Sequence, residues 1–123
     1  MTTRVFKLGG RAQGATELPA RIASATVAGT KVVIVHGGGD EVSAMQRKLG
    51  MEPQFVGGRR VTSDADLDVV RMLLSGTINK RIVAQLLSAG ARAVGISGED
   101  AGLLSARVTD TALVAWDAMY KPT

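Results

Sequence analysis

Three groups of residues have the types and spacing to handle a negatively charged ligand. The first is Gly37-Gly38-Gly39, which follows the apolar run Val32-Val33-Ile34-Val35 and His36 and leads into an amphipathic segment, Glu41–Leu49. A buried strand, a tight loop and the first turn of a helix gather free backbone N–H groups at the positive end of a helix dipole. Glycines admit positive φ and let a phosphate or carboxylate approach the backbone. A sharp turn by itself needs fewer glycines than this, so the loop reads as an anion site. The second group is Lys7, near the end of Arg4–Leu8 and just before Gly9-Gly10. It is either a solvated lysine on an edge strand or one delivered to a pocket, since ligands of open α/β sheets collect beyond the carboxyl ends of strands. The third is Arg59-Arg60, within the extended stretch Glu52–Thr62. Strand side chains alternate, so one of these arginines can face a ligand while the other faces water.

Other chemistries are excluded by what the chain lacks. It has no Gly-x-x-x-x-Gly-Lys-Ser/Thr loop, no Gly-x-Gly-x-x-Gly after a strand and no Gly-x-Ser-x-Gly elbow between strand and helix. His36 is the single histidine and there is no cysteine, so neither a histidine metal site nor a thiolate one can be assembled within one chain. Beside the glycine loop His36 could act on a substrate, but it reads rather as a buried imidazole bonded to backbone at a strand end. Asp64, Asp66 and Asp68 spread around a helix and read as helix N-terminal acids rather than metal ligands.

The elements that must position these groups follow from periodicity and punctuation. Strand Arg4–Leu8 is followed by a polar loop, Arg11–Thr16, and by a helix over Glu17–Ala28. Thr16 is its expected N-cap, Pro19 lies in its first turn and Gly29 just past its end. Leu18, Ile22 and Ala25 or Thr26 mark the inner face of that helix. The strand, glycine loop and helix of Val32–Leu49 come next, ending at Gly50, so the order is β-α-β-α. Glu52–Thr62 then forms a hairpin around Gly57-Gly58. Thr62-Ser63-Asp64-Ala65-Asp66 supplies caps for a helix running to Ser75, whose wide stripe (Leu67, Val69, Val70, Leu73, Leu74) is buried or at an interface. Gly76 breaks it, and Ile78–Ala89 forms another helix closed by Gly90, with Asn79-Lys80 on its polar side. Ala93–Ser97 is expected as a strand ending in the loop Gly98–Gly102, and Leu103–Val108 as a strand that pairs back.

The totals agree with one α/β domain. The chain has 123 residues, 46 % of them apolar, enough for a real core. Its apolar runs are far too short to span a membrane, and no signal peptide is recognisable, so a cytoplasmic location is expected. A net charge of +4 raises the question of nucleic acid, but the basic residues are scattered and aromatics are only 3 %. Without a basic stripe or stacking platforms, no nucleic-acid partner is expected, and anionic small molecules suit the charge equally well.

Lys7-Leu8-Gly9-Gly10, Val35-His36-Gly37-Gly38-Gly39, Gly58-Arg59-Arg60-Val61-Thr62, Asn79-Lys80 and Val94-Gly95-Ile96-Ser97-Gly98-Glu99-Asp100 resemble, in order and spacing, the acetylglutamate kinases of the amino acid kinase family. The resemblance runs from about Arg4 to Leu113. It implies a mainly parallel sheet sandwiched by helices, and ATP-dependent phosphorylation of the side-chain carboxylate of N-acetyl-L-glutamate in arginine biosynthesis, with ATP and Mg2+ as cofactors. Lys7 would steady the transferring phosphoryl group, with Gly9 and Gly10 beside it on the nucleotide side. Gly38 and Gly39 would hold the reacting groups through their N–H bonds, and Arg60 would pair with the substrate's α-carboxylate. Homodimerisation is also implied. The alternatives are a sibling kinase, such as a carrier-linked aminoadipate or glutamate kinase, and a non-catalytic acidic-ligand module.

Family members are roughly twice as long, with the nucleotide pocket in their second half. Residues 1–113 therefore read as an amino-terminal, substrate-side part. The tail, Val114–Thr123, departs from the family pattern. Leu113-Val114-Ala115-Trp116-Asp117-Ala118 is what a typical Leu-Gly-Arg-Val-Gly-Arg coding stretch yields after loss of one base. An out-of-frame tail is the expectation, and it should lack packing partners.

Overall fold

The computed structural model describes residues 1–106 (Arg11 and Ala12 in backbone alone) and the backbone of Val114–Ala115. Strand β1 (Thr3–Leu8) runs parallel to β2 (Lys31–His36), with Leu8 opposite His36. Between them lie a 3-10 turn, Gly10–Gly14, and helix α1 (Leu18–Val27). Glu17 rather than Thr16 occupies the N-cap of α1 and its side chain makes no cap bond. Pro19 in the first turn supplies a helical φ without needing a donor, so the start is set without that cap.

Helix α2 (Gly39–Lys48) begins directly after the glycine loop, with Asp40 and Glu41 in its first turn and Arg47 and Lys48 in its last, complementing the helix dipole. Strands β3 (Gln54–Val56) and β4 (Arg59–Ser63) pair antiparallel, Phe55 opposite Arg60. Their turn residues Gly57 and Gly58 both have positive φ, 56° and 77°. Positive φ at both positions is what a two-residue hairpin of native twist demands. Helix α3 (Asp64–Arg71) starts from Ser63 in a reciprocal capping box with Asp66.

Gly76 does not break the chain here. A π-helical stretch, Met72–Ile78, joins α3 to helix α4 (Asn79–Ser88) without interruption. Gly76 has ordinary helical company, and Leu73 and Ile78 on this stretch are 5 % and 0 % exposed, so burial of the stripe outweighs the weak helix propensity of one glycine. Asn79 lies on the buried side, not the polar one, because the helical turn groups it with Ile78 and Ile82; Lys80 is exposed.

The core joins Ile22 and Ala23 of α1, Val42 of α2, Val69 of α3, Leu73 and Ile78 of the π stretch, and Ile82 and Leu86 of α4, with Val32 and Ile34 of β2 packed against it. Of the wide α3 stripe, Val69 and Leu73 are thus spent inside the chain, with Val70 and Leu74 half-buried against that core. The opposite face of the β1–β2 sheet carries Val5, Val33 and Val35, all exposed.

Ala93–Ser97 is not a strand. It keeps the alternation of half-buried and exposed residues that extended chain produces, but the Gly95 carbonyl accepts a bond from Lys80 Nζ (3.1 Å) rather than from a neighbouring strand. Gly95 is pressed onto α4, where a Cβ would sit 1.7 Å from Asn79 Oδ1. A cleft of about 310 Å³ separates this segment from β2. Residues 103–106 carry no strand either, and the rest of the expected Leu103–Val108 strand lies outside the described residues. Against the expectation that the tail lacks packing partners, the backbone of strand β5 (Val114–Ala115) pairs parallel with Thr62 and Ser63 of β4; the rest of the tail lies outside the described residues.

Candidate functional site

The register of β1 and β2 decides where the sequence-predicted residues meet. Because Leu8 pairs with His36, Gly9-Gly10 and Gly37–Gly39 leave neighbouring parallel strands at the same end of the sheet. Lys7, opposite Val35, is exposed one residue before that end. Gly37 N–H closes the loop by donating to Leu8 O (3.3 Å).

None of the three loop glycines uses the left-handed region. Gly38 is buried instead against the π-helical stretch: a Cβ there would lie 2.2 Å from Ile78 Cδ1 and 3.1 Å from Leu74 Cδ2. Gly38 is therefore needed for close packing of the helix start. At Gly37 and Gly39 a Cβ would meet nothing within 4 Å. Gly39 is exposed at the first turn of α2, where backbone N–H groups have no intrahelical acceptor.

Arg60 arrives from the hairpin. Strand alternation leaves Arg59 exposed and turns Arg60 inward. Its Nη2 donates to Gly39 O (3.0 Å) and Ser43 Oγ (2.8 Å), and its Nη1 to Gln46 Oε1. Its guanidinium also lies 4.7 Å from the centre of the Phe55 ring, across the hairpin. Burial lowers the Arg60 pKa from its ordinary value and nearby Arg47 adds to this, while Asp66 opposes both. The group nonetheless stays a cation.

Behind Arg60 stands a polar chain that the sequence reading did not anticipate. Gln46, 0 % exposed, donates from Nε2 to Asp66 Oδ1 (2.5 Å). Asp66 Oδ2 accepts from Ser63 N (2.9 Å) and Ser63 Oγ (2.6 Å). Burial works to raise the Asp66 pKa, but the Ser63 and Gln46 bonds and the Arg60 charge together hold it below 3.8. The signal was present: Gln46 falls on the apolar stripe of α2 beside Val42 and Met45, a place where a glutamine must find partners.

A second chain braces the loop from the other side. Gln13 Nε2 donates to Gly37 O (2.8 Å), and Arg81 of α4 donates to Gln13 Oε1 (3.2 Å) and to both carboxylate oxygens of Glu41 (2.6 and 3.0 Å). The Arg81 bond lowers the Glu41 pKa against a smaller opposing effect of burial. This pairing offsets an acid placed in the first turn of α2, where it would otherwise repel an anion. His36, half-buried, has Nδ1 3.2 Å from Gly37 O, a backbone bond in the Nδ1–H tautomer. The loop at Gly98–Gly102 is ordered by Ser97 and Asp100, and Glu99 forms a two-bond pair with Arg71 (2.8 and 3.0 Å).

Two glycine loops leave one end of a parallel α/β sheet, with a lysine on one strand and an inward arginine over a helix N-terminus, an arrangement of the α/β class that gathers its polar groups at the strand ends. Residues 2–119 match the amino acid kinase family, and the chain belongs to it. It is 48 % identical over 109 residues to the acetylglutamate kinase of Parvibaculum lavamentivorans and 46 % identical over 108 residues to that of Symbiobacterium thermophilum. Each alignment covers 85 % of this chain but only 36 % and 37 % of those relatives, so the chain spans little more than a third of their length. Among solved structures, a Streptococcus mutans protein superimposes with a TM-score of 0.82 at 26 % identity, over 89 % of this chain and 46 % of that one. An N-acetylglutamate synthase of Neisseria gonorrhoeae, complexed with coenzyme A and N-acetyl-glutamate, gives 0.59 at 26 % identity over 72 % of this chain and 21 % of that one.

Proposed function

We propose that the chain forms the acetylglutamate-binding side of an acetylglutamate kinase, which transfers a phosphoryl group from ATP to the side-chain carboxylate of N-acetyl-L-glutamate. The observation that carries this reading is the meeting of Arg60 with Gly39 at the start of α2. It sets a guanidinium beside the helix N-terminus, so one ligand with two carboxylates can use both. Arg60 pairs with the α-carboxylate, and the backbone N–H groups of Gly38 and Gly39 orient the side-chain carboxylate. Lys7 adds positive charge at the same sheet end, where the transition state spreads negative charge over phosphoryl oxygens. Gly9 and Gly10 flank it with exposed backbone suited to phosphate. When bound, ATP supplies the phosphoryl group. In this reading Mg2+ accompanies the nucleotide's phosphates.

Titration calorimetry with N-acetyl-L-glutamate tests the reading. Binding is expected for the wild type and much weaker in Arg60→Ala; no binding by a folded wild type would overturn it. The likeness to a synthase complexed with N-acetyl-glutamate favours one second reading, a binding module without kinase chemistry. ADP release by this chain on addition of ATP and acetylglutamate, read by a coupled assay, would exclude the second reading.

A homodimer and a cytoplasmic location belong to the same proposal. Exposed Met72 and Leu87 on the helical run support the first. Among the described residues no helix is long and apolar enough to cross a membrane. Light scattering coupled to size exclusion measures the dimer. The boundary at Leu113 with an out-of-frame Val114–Thr123 is part of the same proposal, and an uninterrupted frame past Thr123, with no kinase-coding stretch in another frame, would overturn it.

A further inference from the structure

Arg60 holds its ligand-facing geometry through a buried anchor. Both bidentate modes by which a guanidinium grips a carboxylate, Nε with Nη2 and Nη1 with Nη2, use an Nη2 hydrogen. In this structure Nη2 already donates to Gly39 O and Ser43 Oγ. A carboxylate that engages the fork must therefore displace one of these acceptors. The Gly39 bond is the exposed one, and the Ser43 bond is partly buried. Nη1 is different in kind. Its acceptor, Gln46 Oε1, belongs to a side chain with no exposed surface, and that side chain is held in turn by Asp66, which Ser63 fixes at the N-cap of α3.

We propose that Gln46 and Asp66 are positioning residues for Arg60: they retain the guanidinium through Nη1 while Nη2 exchanges the Gly39 carbonyl for the substrate's α-carboxylate. This rests on the acetylglutamate reading above. The arrangement follows from the donor inventory. A glutamine amide both accepts and donates, so Gln46 links a cation to a carboxylate without placing a second charge in the buried space between them. Its amide orientation is imposed by the partners, since the oxygen must face Arg60 and the nitrogen Asp66. Without that link Arg60 keeps only the acceptors that the incoming ligand competes for, and it loses rotational order before binding.

The test separates positioning from general loss of structure. Gln46→Met keeps the buried volume and removes both bonds. It is expected to weaken N-acetyl-L-glutamate binding about tenfold by calorimetry. Binding of N-acetyl-4-aminobutyrate, which lacks the α-carboxylate, should be unchanged. The double variant Gln46→Glu/Asp66→Asn reverses the direction of the amide–carboxylate bond and keeps one negative charge, so it should recover most of the lost affinity. Equal weakening of both ligands, no weakening of either, or failure of the double variant to recover would overturn the proposal. If the wild type binds no acetylglutamate, the functional reading fails and the anchor is judged by ¹⁵N NMR of the Arg60 side chain. Distinct Nη1 and Nη2 signals in the wild type that merge in Gln46→Met support it, and merged signals in the wild type overturn it.

Discussion

Gly38 and Gly39 are neighbours with opposite reasons for lacking a side chain. At Gly38 a methyl group would enter the space of Ile78 Cδ1, so Gly38→Ala is expected to destabilise the fold by about 1–3 kcal/mol in urea denaturation. Ile78→Val removes that carbon and should recover part of the loss. At Gly39 there is open space, so Gly39→Ala should change stability by about 0.5 kcal/mol or less and weaken acetylglutamate binding instead. Asp66 carries a pH signature. Its pKa is lower folded than unfolded, so its contribution to stability is complete above its ordinary 3.8 and is lost as pH falls through the folded value. The stability advantage of the wild type over Asp66→Asn should be full at pH 7 and shrink as the pH is taken below 3.8, as read by denaturation at each pH.

The continuous run from α3 through the π-helical stretch to α4 changes what Gly76 means. Read as a breaker, it marks a joint; in the structure it sits inside a packed helical run, and a Cβ would meet nothing within 4 Å. Gly76→Ala should therefore raise stability by about 0.4–1 kcal/mol, chiefly by restricting the unfolded chain; a loss of that size would mean the joint must bend. The π stretch also sets the rotation by which Ile78 faces Gly38 and Asn79 turns inward under Gly95. The hairpin is the complementary element. Its two positive-φ glycines fix the register that sends Arg60 inward and Arg59 outward, so Gly58→Ala should destabilise it and lower acetylglutamate affinity together.

At the scale of the molecule, one face of the β1–β2 sheet is covered by core and the other shows Val5, Val33 and Val35. Val35→Thr should leave the stability of the monomeric chain within about 0.5 kcal/mol of the wild type, since Val35 is 49 % exposed. A larger loss in a sample shown by light scattering to be dimeric would place that face in the dimer contact. The order of strands, helices and glycine loops was legible in the chain because local signals specify it: period-2 runs ending in glycine, period-3.6 stripes, Pro19 at a helix start and Ser63 with Asp66 at another. The family was legible from the order and spacing of the motifs that contain Lys7, Gly38, Gly39 and Arg60. The helical continuity across Gly76 and the failure of Ala93–Ser97 to pair were not, because each is settled by competition between a local preference and burial or a bond to a distant residue, Ile78 in one case and Lys80 in the other. The partners that hold Arg60 inward and the Gln46–Asp66 anchor behind them likewise needed the tertiary structure. They depend on α2, α3 and the hairpin converging on one buried spot, where the low polarity makes every donor and acceptor seek a partner that sequence spacing cannot name.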